Sequence, residues 1–169
     1  GDWRCCGDYR KLNAITLKDE YPLPLIKDVT TRLTDAKIFS KIDLIQAYYQ
    51  IPMAEEDICK TAVTTPFGLF EFIRMPFGLK NAAATFQRAM DQIFRNSKHV
   101  VVYLDDILVG SRGMKEHENH LIEVLEVLDK QNLKINLKKC SFFCKEWIFW
   151  VILSVKTVLV QFAVRSNTS

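Results

Sequence analysis

The 169-residue sequence has no internal repeat and no low-complexity linker, so nothing in it suggests a solenoid or modules strung on tethers. It has little charge excess. The 23 basic and 20 acidic residues give a net charge of +3, which permits a nucleic-acid partner without arguing for one. Five cysteines (Cys5, Cys6, Cys59, Cys140 and Cys144) are odd in number and lack zinc-finger spacing, so reduced thiols are expected rather than a disulfide framework. The opening Gly1-Asp2-Trp3-Arg4 has no apolar signal region, and its abrupt start without Met suggests a fragment. The nearest thing to a membrane span is the mostly apolar stretch from Trp147 to Val164. Its central Lys156 would cost about 2.5–3.5 kcal/mol on insertion, so no membrane association is expected.

What is present is ordinary globular material, 49% hydrophobic and 25% charged, enough to form a core. Tyr21-Pro22-Leu23-Pro24 reads as an extended turn, followed by a short helix from Ile26 to Leu33. Ile38 to Leu44 reads as a strand, Ala47 to Ile51 as a short aromatic turn stopped by Pro52. Thr61–Thr65 and Leu69–Met75 read as strands around Pro66-Phe67-Gly68. Asn81 is placed to cap a helix whose buried stripe is Phe86, Met90, Ile93 and Phe94. Lys115 to Gln131 reads as an amphipathic helix with Leu121, Val124, Leu125 and Leu128 inward. Lys138-Lys139-Cys140 begins a last strand-like stretch. Strands and helices are mixed without strict alternation, which predicts an α+β fold with an antiparallel sheet packed on helices.

Between the last two helices lies the most informative segment, Val100-Val101-Val102-Tyr103-Leu104-Asp105-Asp106-Ile107-Leu108-Val109-Gly110. Its β-branched and aromatic flanks predict a buried hairpin with two aspartates at the tip. Adjacent carboxylates in an apolar setting repel each other and lose hydration, so a divalent cation is the expected companion. Asp43, at the end of an earlier strand, supplies a third carboxylate if the two elements share a sheet. Three such groups suit two metal ions about 3.5–4 Å apart, the arrangement that activates a hydroxyl and stabilises a leaving oxygen in phosphoryl transfer.

The motifs carry a resemblance. Tyr103-Leu104-Asp105-Asp106 resembles the Tyr-x-Asp-Asp motif of reverse transcriptases. Phe39-Ser40-Lys41-Ile42-Asp43-Leu44 with Ala47-Tyr48-Tyr49-Gln50-Ile51 resembles their first aspartate motif. Met75-Pro76-Phe77-Gly78-Leu79-Lys80-Asn81-Ala82 with Thr85-Phe86-Gln87 resembles the motif between, and Trp3-Arg4 with Asp8-Tyr9-Arg10-Lys11-Leu12-Asn13 the start of their fingers. The similarity is greatest to the polymerases of gypsy-type LTR retrotransposons, relatives of retroviruses, and covers residues 3 to about 146. It implies a right-hand polymerase palm with partial fingers: fingers at 1–34 and 52–75, palm at 35–51 and 76–146, and a divergent tail at 147–169. That tail lacks the Gly and His usual in the family's primer-gripping hairpin.

The resemblance further implies RNA-directed DNA polymerase activity, adding dNTPs to a primer 3′-hydroxyl on an RNA or DNA template. It implies Asp43, Asp105, Asp106 and the Leu44 carbonyl as ligands of two Mg²⁺ (or Mn²⁺) ions. Arg4, Ala47, Tyr48, Phe77, Gly78 and Gln87 would bind the dNTP, with Tyr48 excluding the ribose 2′-hydroxyl. Lys139 is a candidate general acid toward pyrophosphate. Arg10 is expected to brace the fold, through Asp8 or a carboxylate elsewhere, and His117 and His120 to lie on a solvated helix face. The thumb, RNase H, integrase and protease of a Pol polyprotein would be partners, in cytoplasmic virus-like particles. The alternatives are a decayed, non-catalytic remnant or nucleic-acid-binding module, and an RNA-directed RNA polymerase, against which Tyr48 argues.

Overall fold

The computed structural model describes residues 7–145. Arg4 and the 147–169 tail therefore lie outside the described residues, as do Cys5 and Cys6. The chain opens with α1 (Arg10–Ile15) and α2 (Ile26–Arg32), then β1 (Ile38–Asp43) and a 3₁₀ turn at Ala47–Gln50. A short α3 (Glu55–Ile58) precedes the hairpin of β2 (Val63–Thr65) and β3 (Gly68–Phe70). The rest comprises α4 (Ala82–Ile93), β4 (Val100–Tyr103), β5 (Asp106–Ser111), α5 (Met114–Lys130) and β6 (Ser141–Cys144).

Four strands form one antiparallel sheet in the order β4-β5-β1-β6. The period-two alternation of strands decides what each face carries. Ile42, Ile107, Val109, Val100 and Val102 point to one face and meet Phe86 and Met90 of α4 and Leu121, Val124 and Leu128 of α5. Phe39 and Val101 point to the other, where Val29 and Leu33 of α2 cover them. Gly110 lets α2 come close, since a Cβ there would sit 2.8 Å from Leu33 Cδ2 and 3.0 Å from the Ala36 Cβ. The second face also carries Lys41, Asp43 and Asp106, beyond the reach of the α2 cover. The charged residues of two apolar strands thus collect in one place.

Several elements differ from expectation. The residue-10–15 helix went unread because it is short and buries no side chain of its own. The β2–β3 strands are three residues each, shorter than the apolar runs that suggested them. Asn81 stands at the N-cap of α4 but makes no side-chain cap; its Oδ1 accepts the Asp19 N–H and its Nδ2 donates to Leu17 O, tying the 17–19 segment to the helix start. Leu125 is 38% exposed, at the margin of the α5 stripe. Cys140 follows the turn at 137–139 and Cys144 lies in β6; both are free thiols, as expected. Among the described residues, no helix is long and apolar enough to cross a membrane.

His117 is the clearest correction. It is fully buried rather than solvated, with Nε2 2.7 Å from Ser40 Oγ and Nδ1 2.7 Å from Ser111 Oγ. Ser111 Oγ also lies 2.8 Å from His120 Nδ1, and the His120 ring stacks on His99 at 3.7 Å. A hydroxyl has one proton, so Ser111 donates to one imidazole and accepts from the other. The network pins β1 and β5 to α5 on the face opposite the carboxylates.

Candidate active site

β4 and β5 are joined by the two-residue turn Leu104-Asp105, with Tyr103 and Asp106 as the closing pair. Leu104 has φ 53°, a left-handed backbone that non-glycine residues seldom adopt and that tight hairpin turns require. Asp105 is therefore at the exposed tip, while Asp106 is the first residue of β5. In the β1–β5 ladder Asp43 is the register partner of Asp106. Directly opposed residues on one sheet face have Cβ atoms about 4.5–5.5 Å apart, close enough for like charges to destabilise each other. Asp43 and Asp106 are thus opposed at one end of the sheet, with Asp105 next in the chain at the hairpin turn.

The end of β1 is held firmly. Asp43 N–H donates to Cys140 Sγ at 3.4 Å, and Asp43 O accepts from Asn136 N at 2.8 Å. Leu44 bridges to Ile135 and is 4% exposed, and Gln50 donates to Ile45 O and Lys134 O while accepting from Lys134 N. The 134–140 segment therefore fixes where the Asp43 carboxylate and the Leu44 carbonyl can go.

The carboxylates differ in surroundings. Burial raises the Asp106 pKa above the usual carboxylate range, and the Asp43 charge raises it further, against the pull of Lys41 and Lys139. Lys41 Nζ contacts Asp106 Oδ2 at 2.7 Å, with both side chains about four-fifths buried (20% and 22% exposed). Asp105 instead accepts a hydrogen bond from the Tyr48 hydroxyl. Burial, with the Asp105 charge and that bond, pushes the Tyr48 phenol up to about 12. Among the described residues, no three His, Cys, Asp or Glu side chains are grouped closely enough to hold a metal by themselves. Asp105 is engaged by Tyr48 and Asp106 by Lys41.

The residues do fit divalent cations. The donors are hard carboxylate oxygens, two of them opposed across a ladder, and an ammonium already stands against one of them as a cationic companion. A site that draws a lysine against one of two opposed carboxylates is one that demands positive charge.

Around this cluster sit the other expected residues. The Tyr48 ring lies 5.2 Å from Phe77 and 5.5 Å from Phe86, so its position is set by aromatic packing. Gly78 has φ +93°, which an L side chain would strain; its carbonyl accepts from Asn13 Nδ2 at 2.7 Å, and Asn13 Oδ1 accepts from Lys80 N at 2.8 Å. Asn13 of α1 thus clamps the Phe77-Gly78 turn. Ala47 is buried, and Lys139 is exposed with its charge felt at Asp106. Arg10 pairs with Asp8 at 2.6 Å, but both side chains are exposed and two residues apart, so this contact braces no other part of the fold. Gln87 is not brought to the aspartates. It is 1% exposed, its Nε2 donating to Val102 O and Asp91 Oδ1, so that it joins α4 to β4; its Oε1 has no partner among the described residues.

Sequence reasoning missed Lys41, Ser40 and His117. Lys41 was legible by spacing, because residues 41 and 43 of a strand share a face. His117 was also legible, since it extends the Leu121-Val124-Leu128 stripe back by one turn.

The antiparallel sheet backed by helices, with carboxylates at one end, has the architecture of a right-hand polymerase palm joined to part of its fingers. The chain belongs to the reverse transcriptase (RNA-dependent DNA polymerase) family, whose model matches residues 1–160. It is 47% identical over 146 residues to the retrovirus-related Pol polyprotein from transposon 297 of Drosophila melanogaster, covering 85% of this chain and 14% of that protein. It is 41% identical over 138 residues to the Pol polyprotein from transposon gypsy of the same species, covering 80% of this chain and 13% of that one. A foamy viral protease-reverse transcriptase solved in complex with double-stranded DNA superposes with a TM-score of 0.79 at 26% identity, covering 86% of this chain and 26% of that chain. The chain thus spans a small part of the relatives it matches.

Proposed function

We propose that this chain supplies the nucleotidyl-transfer site of an RNA-directed DNA polymerase, adding dNTPs to a primer 3′-hydroxyl on an RNA or DNA template. The observation that supports this best is the opposition of Asp43 and Asp106 on one sheet face, with Asp105 beside them at the hairpin tip. On this reading residues 35–51 and 76–146 form the palm, and 1–34 and 52–75 belong to the fingers. Asp43, Asp105, Asp106 and the Leu44 carbonyl would hold two Mg²⁺ or Mn²⁺ ions. When bound, these would activate the 3′-hydroxyl and stabilise the leaving oxygen.

The chain's own groups do the positioning. Tyr48, fixed by Phe77 and Phe86, presents its ring where the sugar of an incoming nucleotide would lie and excludes a 2′-hydroxyl. Phe77, Gly78 and Ala47 shape the same pocket, with Arg4 gripping the triphosphate as a bidentate donor. Gln87 would act there through its unengaged Oε1. Lys139 is exposed near Asp106 and is placed to give its proton to departing pyrophosphate. The remaining Pol modules (thumb, RNase H, integrase and protease) would complete the enzyme, in cytoplasmic virus-like particles. The related foamy viral enzyme has been solved with double-stranded DNA and with an RNA/DNA hybrid, ligands of the kind this reading requires.

The test is primer extension on an RNA template by a protein carrying this chain, with Mg²⁺ or Mn²⁺. Extension that requires dNTPs and a divalent cation, and that vanishes in Asp43→Asn and Asp106→Asn, is expected. Binding of primer-template with no extension in any metal would favour the non-catalytic module instead.

A further inference from the structure

We propose that Lys41 is a resident counter-cation of the carboxylate pair, one whose ammonium holds Asp106 in the metal-free protein and must release it when a divalent cation enters. This rests on the reading of Asp43 and Asp106 as metal ligands.

The placement follows from the strand. Lys41 precedes Asp43 by two residues and shares its face. Its register partner across the ladder is Leu108, whereas that of Asp43 is Asp106, so Lys41 and Asp106 are diagonal neighbours. Diagonal Cα atoms lie about 7–8 Å apart, within reach of a long side chain. Lysine spans that gap on its flexible stem and delivers a compact point charge. The result is the 2.7 Å contact to Asp106 Oδ2 between two largely buried groups.

Competition follows from chemistry. An oxygen lone pair engaged by an ammonium at hydrogen-bonding distance is not available to a metal. Without Lys41, Asp106 would face Asp43 with only the weaker pull of the exposed Lys139 to offset the repulsion. The ammonium therefore relieves the metal-free protein and opposes metal entry by the same free energy. The 2.7 Å contact shows Asp106 Oδ2 engaged by Lys41 in this way. Release of Lys41 would free Asp106 to turn toward Asp43.

The experiment is Mn²⁺ binding, followed by electron paramagnetic resonance, and thermal denaturation with and without Mn²⁺, using the whole protein without nucleotide or primer. Lys41→Met keeps the stem and removes the charge. It is expected to bind Mn²⁺ about three- to tenfold more tightly than the parent, the scale of a partly buried ion pair. It is also expected to be less stable without metal and to gain more in Tm when Mn²⁺ is added. Lys41→Arg, which retains the cation, should bind no more tightly than the parent. Lys41→Gln serves if the Met variant does not fold. Equal or weaker Mn²⁺ binding in the charge-removed variant, with Asp43→Asn still abolishing it, overturns the competition while leaving the metal site in place. Failure of the parent and the variant alike to bind Mn²⁺ overturns both.

Discussion

Asp43 and Asp106 face each other across the β1–β5 ladder, each at the end of its strand and each on the face that α2 leaves open. In a sheet, directly opposed like charges destabilise unless a cation intervenes. Replacing Asp106 with Asn should therefore leave the fold intact, and even stabilise the metal-free protein modestly, because burial and Asp43 both act against its charge. Primer extension should fall by more than about a hundredfold, since loss of a metal's outer partner alone costs 10–100-fold. Steady-state extension and chemical denaturation on the same preparation check both halves. Retained activity would remove Asp106 from the site.

Tyr48 joins two roles that single substitutions separate. Its ring is packed against Phe77 and Phe86, while its hydroxyl donates to Asp105. Tyr48→Ala should raise rNTP incorporation relative to dNTP by about tenfold or more, the scale of a steric pocket difference. Tyr48→Phe should preserve the sugar preference, because the ring remains. Single-nucleotide incorporation with matched dNTP and rNTP pairs is the measurement, and equal selectivity in Tyr48→Ala would exclude the ring as the discriminator.

Gly78→Ala tests the clamped turn. Its φ of +93° costs an L residue about 1–2 kcal/mol, and the Asn13 hydrogen bonds on either side resist relaxation. A loss of that size in unfolding free energy is expected. Asn13→Ala should weaken the same turn by leaving Gly78 O and Lys80 N without their partner. Urea titrations of the two single variants and the double variant should show less than additive loss.

The buried imidazoles make stability depend on pH. Burial holds His117 and His99 below the ordinary 6.5, helped by neighbouring imidazole charge. The unfolded chain then binds more protons than the folded one from about pH 6.5 downward, so stability is fully present above that value and declines as pH falls toward the folded values. His117→Gln should flatten this decline. It should also cost about 1–3 kcal/mol at neutral pH, because Ser40 or Ser111 loses a buried partner. Denaturation midpoints between pH 5 and 8 provide the check, and parallel pH profiles for parent and variant would count against His117.

Much of this was legible in the sequence for identifiable reasons. Val100 to Val109 is β-branched on both sides of the aspartates, so its hairpin, and the buried face formed by Val100, Val102, Ile107 and Val109, could be read from period two. The short apolar spacing of Val29 and Leu33 gave α2. What escaped were polar residues working in buried positions. His117 belongs to the stripe of α5 by spacing, but its polarity suggested solvent; two serines from distant strands satisfy it, and no local pattern announces them. Gln87 was named from its motif, but the bonds of its Nε2 to the Val102 carbonyl and Asp91 become visible only once β4 is placed beside α4. Lys41 stood in the sequence only as one letter of its motif, because its partner, Asp106, becomes a neighbour only once β5 is placed beside β1.

The hydrogen bond between Ser40 and His117 joins positions 77 residues apart, and the ladder beside it spans a similar interval. Such closures are slow compared with local helix formation. During synthesis β1 emerges long before β5, and until β5 arrives Asp43 sits on a strand with no partner on that side. The opposed carboxylates thus come into being only when β5 docks on β1, so a newly made chain has no such pair before that long-range closure.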